Sequence, residues 1–304
     1  MSILGRLSGQ PYLILTLTAA MWAGNAIAGK LAVGHVSPFL LTSLRWIAAL
    51  AILLAFAGPA IRRDWAAIRR HWPFLALLGI VGFTAFNNLL YLSLNYTTAI
   101  NVAIIQAAMP LFVFAFNFVL FSIRSTWLQL AGFALTLAGV ILTATKGNPF
   151  GLADQTINVG DLIMLAAVFA YGLYSVALVR KPPLHWLSFI TVLAFFAMLS
   201  SLPFTIWEVT SGKVVWPDTQ GWLVALYTAL LPAILAQLMW IRGLEIIGSN
   251  RGGVFINLVP IFAAVMAVAI LGEQFRFYHA IAMALVVGGV WLSQRTKPVP
   301  PQAN

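Results

Sequence analysis

Residues 94–142, LNYTTAINVAIIQAAMPLFVFAFNFVLFSIRSTWLQLAGFALTLAGVIL, align without a gap on residues 244–292, LEIIGSNRGGVFINLVPIFAAVMAVAILGEQFRFYHAIAMALVVGGVWL. At this shift of 150, Leu94 falls on Leu244, Pro110 on Pro260, Phe112 on Phe262 and Ala134 on Ala284. Leu135 likewise falls on Leu285, Gly139 on Gly289, Val140 on Val290 and Leu142 on Leu292. The apolar runs and their polar breaks coincide as well. The chain reads as a duplication, which in an apolar protein is the mark of a transporter fold.

With 62% hydrophobic and 8% charged residues, the chain needs lipid as solvent for its apolar surface. Backbone polar groups in lipid must be satisfied within the protein, so the crossings should be helices. A barrel would alternate in ten-residue segments, whereas the runs here are about 20 residues long without alternation. The absence of cysteine excludes a disulfide framework and a thiolate metal site. The net charge of +10 does not indicate nucleic acid, because the cations sit in short breaks between apolar runs. Ala26-Ile27-Ala28 imitates a leader cleavage site, but the run is too long for a signal segment and is read as the first span.

Apolar windows bounded by charges and by Gly/Pro clusters predict an all-α membrane protein of ten spans, near 10–33, 38–58, 72–94, 98–121, 126–145, 159–179, 185–207, 219–241, 251–271 and 277–294. With the N-terminus inside, inner segments hold twelve cations, among them Arg62, Arg63, Arg69, Arg70, Arg124, Arg180 and Lys181. Outer loops hold three, Lys146, Lys213 and Arg276, which places both termini on the cytoplasmic side. Span four matches span nine, five spans later, and five is odd, so the two copies cross in opposite senses. This is an inverted-topology repeat. Folds of this kind bind substrate near the midplane, between the halves, and alternate access by rocking.

Trp22-Ala23-Gly24-Asn25 through Lys30, Ser37-Pro38-Phe39 with Arg45-Trp46, Pro110, and Pro260 with Gly272-Glu273 resemble an EamA-type module. The resemblance covers nearly the whole chain as two modules: 1–146, an outer linker 147–157, 158–297, and a cytoplasmic tail 298–304. It implies the drug/metabolite transporter superfamily and similarity to its ten-helix bacterial amino-acid exporters, hence a multi-pass protein of a bacterial inner membrane. One departure is visible: Ile123 stands where the second half has Glu273.

Polar side chains deep in spans need a reason. Asn25 lies three residues after Trp22, and Asn87, Asn88 and Tyr91 cluster within one turn. Gln106, Pro110 and Asn117 fall on one helical face, within about 40°. Tyr171, Tyr174 and Ser175 follow in span six, Gln237 and Trp240 in span eight, and Asn257 three residues before Pro260. The expected substrate-binding set is Trp22, Asn25, Asn88, Tyr91, Gln106, Tyr171, Tyr174, Gln237, Trp240 and Asn257. Amides can bind both ends of a zwitterion and aromatic faces its side chain or ammonium. The competing reading of each is helix-to-helix hydrogen bonding, worth roughly 0.6–2 kcal/mol. Pro110 and Pro260, each removing an in-helix hydrogen bond, are expected to hinge or gate, or else simply to kink their spans.

Arg45 lies roughly 10 Å from the outer end of its span. It and Lys30 are expected to snorkel to the interface or to bond backbone carbonyls, with a substrate carboxylate as the alternative for Arg45. Gly132, Thr136 and Gly139, and Ala280, Ala284 and Gly288, form small-residue faces for close packing within the bundle or between subunits. A monomer is expected, with a dimer as the alternative.

All seven acids lie at span ends or in loops, so the mid-membrane carboxylate of a proton-coupled drug antiporter is missing. The reading is therefore facilitated export of amino acids, aromatic and neutral ones among them, with lipid and a small solute as partners. The alternative is proton-coupled efflux of other metabolites or organic cations, through Asp161 or Glu273. An intramembrane enzyme is a remote third, since no buried Ser/His or paired-Asp set is present. No cofactor, catalytic set or metal site is expected: His35, His71, His185 and His279 lack ligand spacing. The G-x4-G-K string from Gly24 to Lys30 lacks the following Ser/Thr and a preceding strand, and is set aside together with the sequon at Asn95-Tyr96-Thr97.

Overall fold

A computed structural model describes residues 10–121, 126–148, 158–248 and 253–294, and every regular element among them is helical. The helices are α1 (Pro11–Leu31), α2 (Pro38–Leu78), α3 (Phe86–Ser93), α4 (Ala99–Ala107), α5 (Met109–Phe121) and α6 (Trp127–Ala144). The second half supplies α7 (Val159–Ala177), α8 (Trp186–Thr210), α9 (Thr219–Leu230), α10 (Ala236–Ile247), α11 (Leu258–Leu271) and α12 (Phe277–Gln294). Among the described residues seven continuous helical stretches are long and apolar enough to cross a membrane, and two shorter apolar ones, Phe255–Leu271 and Phe277–Ser293, follow.

Local sequence sets the starts. Pro38 opens α2, the Thr98 hydroxyl accepts the Asn101 N–H, and Asn158 accepts that of Gly160 at α7. Thr126 and Gln129 form a reciprocal capping box at α6.

The expected break at 59–71 is helical instead. Helical backbone runs from Pro38 to Ser93 through wide π-type turns at Gly79–Ala85. The path is not straight, because the Trp46 and Phe83 rings stack with centroids 4.5 Å apart. A straight helix would separate them by about 55 Å at 1.5 Å per residue. The stretch therefore folds back between these rings, where Pro59 and Pro73 withhold hydrogen bonds. The same backbone pattern returns in the second half. Wide turns occupy Leu231–Leu235 around Pro232, and the shift of 150 places them opposite residues 81–85. Expected span eight continues past them to Ile247.

Pro110 interrupts expected span four. Its ring excludes the carbonyl four residues earlier, α4 ends at Ala107, and α5 begins at Met109 after the non-helical Ala108. Pro260, by contrast, lies in the first turn of α11, behind the 3-10 segment Gly253–Asn257. Of the expected linker only Gly147 and Asn148 are described; Ile123, the start of span nine and the tail lie outside the described residues.

α8 lies along α2, where the Ser43 hydroxyl donates to Ser201 at 2.9 Å and Thr84 to the Ala197 carbonyl at 3.0 Å. α6 and α12 approach backbone to backbone: a methyl added at Gly132 would strike the Gly289 carbonyl, and one at Gly289 the Gly132 carbonyl. The α6 face Gly132–Thr136–Gly139 thus packs within the bundle, against Ala282, Val286, Gly289 and Ser293. The expected stripe Ala280–Ala284–Gly288 is not the partner; Ala280 and Ala284 are exposed and Gly288 faces open space. α12 therefore packs through a face nearly opposite the one its alanines suggested, about 170° round at 100° per residue. Gly132→Leu should lower stability by about 1–3 kcal/mol through overpacking. Gly288→Leu should leave stability within about 0.5 kcal/mol. Thermal unfolding of the two variants in detergent checks the contrast.

Candidate functional site

The wide turns at Gly79–Ala85 lead into α3 and place Phe83, Asn87 and Tyr91, spaced by four, along one face. Opposite them α1 supplies Asn25 and α2 supplies Arg45. The guanidinium is 5% exposed and does not snorkel. Its Nη1 donates to Asn25 Oδ1 at 2.9 Å, Asn87 Oδ1 at 2.8 Å and the Tyr91 hydroxyl at 2.7 Å. The Tyr91 hydroxyl in turn donates to Asn25 Oδ1 at 2.9 Å, and Asn87 Nδ2 to the Phe83 carbonyl at 2.6 Å. Arg45 lies 5.0 Å over the Trp46 ring, which itself stacks on Phe83.

Reach explains the departure from the expectation. Three oxygens wait within the bundle, and bonding them avoids dragging a long side chain to the interface. Lys30 does bond backbone carbonyls, those of Leu94 and Thr97 at 2.8 and 2.7 Å, and stays half-buried. It closes the end of α3.

Aromatic side chains from both halves continue the wall. Tyr174 packs on Phe83 with centroids 6.0 Å apart, Tyr171 on Phe86 at 4.8 Å, and the two tyrosines lie 5.1 Å from each other. Trp22 meets Trp240 at 5.2 Å, again across the halves, and packs beside Ala103 and Val259. Tyr227 sits against Gly24, where any Cβ would collide with its hydroxyl.

The structure therefore gathers Asn25 and Tyr91 into one cluster, Tyr171 and Tyr174 into a second, and Trp22 with Trp240 into a third. Asn88 is buried with both amide atoms unpartnered. Gln106 and Gln237 are half-buried, and Asn257 stands at the junction of the 3-10 segment and α11 without capping it. No hydrogen bond or ring contact among the described residues joins these three to the clusters. Arg45, Trp46, Phe83 and Asn87 complete the first cluster. Their signal in the sequence was a lone cation beside a tryptophan in an apolar run, and the four-residue spacing of Phe83, Asn87 and Tyr91. A separate cavity of about 230 Å³, lined by Trp186, Leu238, Ile241, Arg242 and Glu245, includes none of the expected residues.

The acids have structural work. The Glu208 carboxylate accepts the N–H groups of Phe39 and Leu40 and the Ser37 hydroxyl, capping α2. Glu273 accepts from Ala99 and Ile100 at 2.7 and 3.0 Å, capping α4. Asp64 accepts from the His185 N–H at the start of α8. Buried Asp161 accepts from Thr97 and Asn101. Asp218 caps α9, and the Gly221 N–H, then His35, hold its carboxyl below the usual carboxylate range. Glu208, Glu273, Asp161 and Asp218 lie at one end of the bundle, where Gln220 also donates to the Leu31 carbonyl and Asn158 to that of Tyr96.

The model of one family, described as the EamA-like transporter family, matches residues 10–145 and again 158–294. The chain belongs to that family. EamA-like chains resembling it include a protein described as an uncharacterized transporter from Bacillus subtilis, 27% identical over 293 residues, covering 95% of this chain and 88% of the relative. A probable terminal-alkyne amino-acid exporter of Streptantibioticus cattleyicolor is 28% identical, covering 92% of each chain. A probable amino-acid metabolite efflux pump of Salmonella typhimurium is 25% identical, covering 91% of this chain and 92% of the pump. One crystal structure shares the fold at a TM-score of 0.62, with 24% identity over 93% of this chain and 95% of the other. The EamA-like transporter described here is thus a multi-pass membrane protein with a duplicated module and a transport function, not an enzymatic one.

Glu273→Ala should lower stability by about 1–2 kcal/mol through loss of the α4 cap. Glu273→Gln, which keeps one acceptor, should cost less than half of that. Unfolding of both variants in detergent, compared with wild type, checks the capping role.

Proposed function

We propose that this transporter exports amino acids and closely related metabolites across a bacterial inner membrane by alternating access, with both termini cytoplasmic. The observation that carries the reading is a lining drawn from both copies of the module: Trp22 against Trp240, and Phe83 and Phe86 against Tyr174 and Tyr171. Rocking one copy against the other would part these pairs and open the space between them to either side.

Ten crossings go with this reading. The Pro38–Ser93 path counts as two, and the two shorter apolar helices complete the second module. Domain limits of 1–146 and 158–297, joined by the linker 147–157, are part of the proposal. So is the inverted sense of the copies. The reciprocal arrangement of two helices supports it: Glu208 near the end of α8 caps the start of α2, while Asp64, following the first crossing of α2, caps the start of α8. That is how two antiparallel, symmetry-related helices should meet. With the N-terminus inside, the end tied by Glu208, Glu273 and Gln220 is the outer one.

Transport is facilitative in this reading. Asp161 and Glu273, the residues of the proton-coupled alternative, serve Thr97, Asn101 and the α4 backbone. Pro110, which divides α4 from α5, is the proposed hinge of the first copy, and Pro260 marks the equivalent place in the second. The substrate is proposed to meet Trp22, Asn25, Asn88, Tyr91, Tyr171, Tyr174 and Trp240. Gln106, Gln237 and Asn257 would join them in another conformation.

Counterflow of radiolabelled amino acids in proteoliposomes tests the proposal. Uptake of aromatic and neutral amino acids should proceed equally with and without an imposed pH gradient. Trp22→Ala should lower it about tenfold, equivalent to about 1.4 kcal/mol, at unchanged protein level. Gradient-driven uptake would return the proton-coupled alternative, and an absence of amino-acid counterflow by folded protein would remove amino acids from the substrate class.

A further inference from the structure

Arg45 makes all three of its hydrogen bonds through Nη1, whose two hydrogens are shared among Asn25 Oδ1, Asn87 Oδ1 and the Tyr91 hydroxyl. That nitrogen is oversubscribed. Nε, on the other edge of the same group, is shielded from solvent and has no partner. A guanidinium presents five donors in a rigid fork, and its Nε/Nη2 edge supplies two parallel N–H groups spaced for the two oxygens of a carboxylate.

The charge is unanswered as well. All three partners are neutral, and the acids nearest the bundle interior are committed elsewhere: Asp161 to Thr97 and Asn101, Glu208 to the start of α2, Glu273 to the start of α4. A charge buried without a counter-ion is costly, and one held in place by three side chains is a group kept ready for an anion. Trp46 supports the face of the guanidinium at 5.0 Å, and its own indole N–H is buried and unpartnered.

We propose that the free Nε/Nη2 edge of Arg45 is a carboxylate subsite, so that the solutes carried are selected by their carboxylate and not by an ammonium group. This rests on the transport reading above and adds its substrate class. Among the described residues no acid bonds Arg45 or stands ready to receive an ammonium, so an amino group contributes only through the aromatic faces. Small 2-hydroxy acids with an apolar side chain should therefore be accepted alongside the corresponding amino acids. Amides and decarboxylated amines of the same shape should be refused, since each leaves the buried fork edge unpaired.

Four probes of one side chain separate the possibilities: phenylalanine, 3-phenyllactate, phenylalaninamide and phenethylamine. Binding is read from tryptophan fluorescence and from the shift in unfolding temperature of the purified wild-type protein. Phenylalanine and 3-phenyllactate should bind within about tenfold of each other, and the amide and amine about a hundredfold more weakly. In Arg45→Lys, which keeps the charge and loses the fork, both acids should weaken by at least about tenfold. The wild-type panel stands alone if that variant does not fold.

Equal binding of acid, amide and amine would overturn the proposal, as would unchanged acid binding by folded Arg45→Lys. Counterflow with the same probes keeps the two readings apart. Counterflow without preference for a carboxylate sinks the subsite and leaves transport standing. Binding of the two acids without counterflow supports the subsite and removes the transport reading of these solutes. No binding and no counterflow of any probe overturns both.

Discussion

Lipid offers no hydrogen bonds, and that constraint organises this bundle. Each helix start leaves N–H groups unpaired, and here they are met by local N-cap side chains or by groups on neighbouring helices. Three carboxylates answer across the bundle, Glu208 for α2, Glu273 for α4 and Asp64 for α8. Each joins a helix of one half to an element of the other. The same few acids therefore terminate helices and tie the two copies together.

Because these ties concentrate at one end, the two ends of the bundle are unequal. Glu208, Glu273, Asp161, Asp218 and Gln220 bind their partners at the end that carries Ser37 and Thr97. Among the described acids, Asp64 ties α8 at the other. Opening the tied end would require several charge-assisted bonds to be replaced by water, a step that becomes feasible where the aqueous phase reaches the helix ends. Below that layer the contacts between halves are aromatic pairs together with a few neutral hydroxyl bonds, such as that from Thr84 to the Ala197 carbonyl. Polar locks at the rim and aromatic faces beneath them suit a carrier that must separate and rejoin.

Arg45 shows how far a sequence reading goes. Its position in the apolar run and its neighbour Trp46 were visible, as was the Asn87, Asn88, Tyr91 cluster. A long cation near a span end ordinarily reaches the interface, so snorkelling was the natural expectation. The bend in the Pro38–Ser93 path decided otherwise, by setting α3 beside the start of α2 and presenting Asn87 and Tyr91 to the guanidinium. Gly58-Pro59 and Pro73 read as the edges of a gap between spans, but the backbone stays helical as it folds back. Charges at Arg62, Arg63, Arg69 and Arg70 marked the return but not its conformation. The stripe at Ala280, Ala284 and Gly288 is not the face that meets α6, since small residues every four positions mark a face able to pack and do not say against what.

That the chain is helical, lives in lipid and consists of two related halves was legible from composition and period, which are properties of the chain alone. The sequence also named most of the residues that the fold gathers: Trp22 with Trp240, Asn25 with Tyr91, and Tyr171 with Tyr174. That Arg45 is caged by neutral oxygens with one edge left over, and that Glu208, Glu273 and Asp64 cap helices of the other half, became visible in the packed bundle. Those are relations between residues tens to more than a hundred positions apart, as in Glu273 and Ala99. Their energies depend on distance and on the exclusion of water, which exist only once the helices have packed.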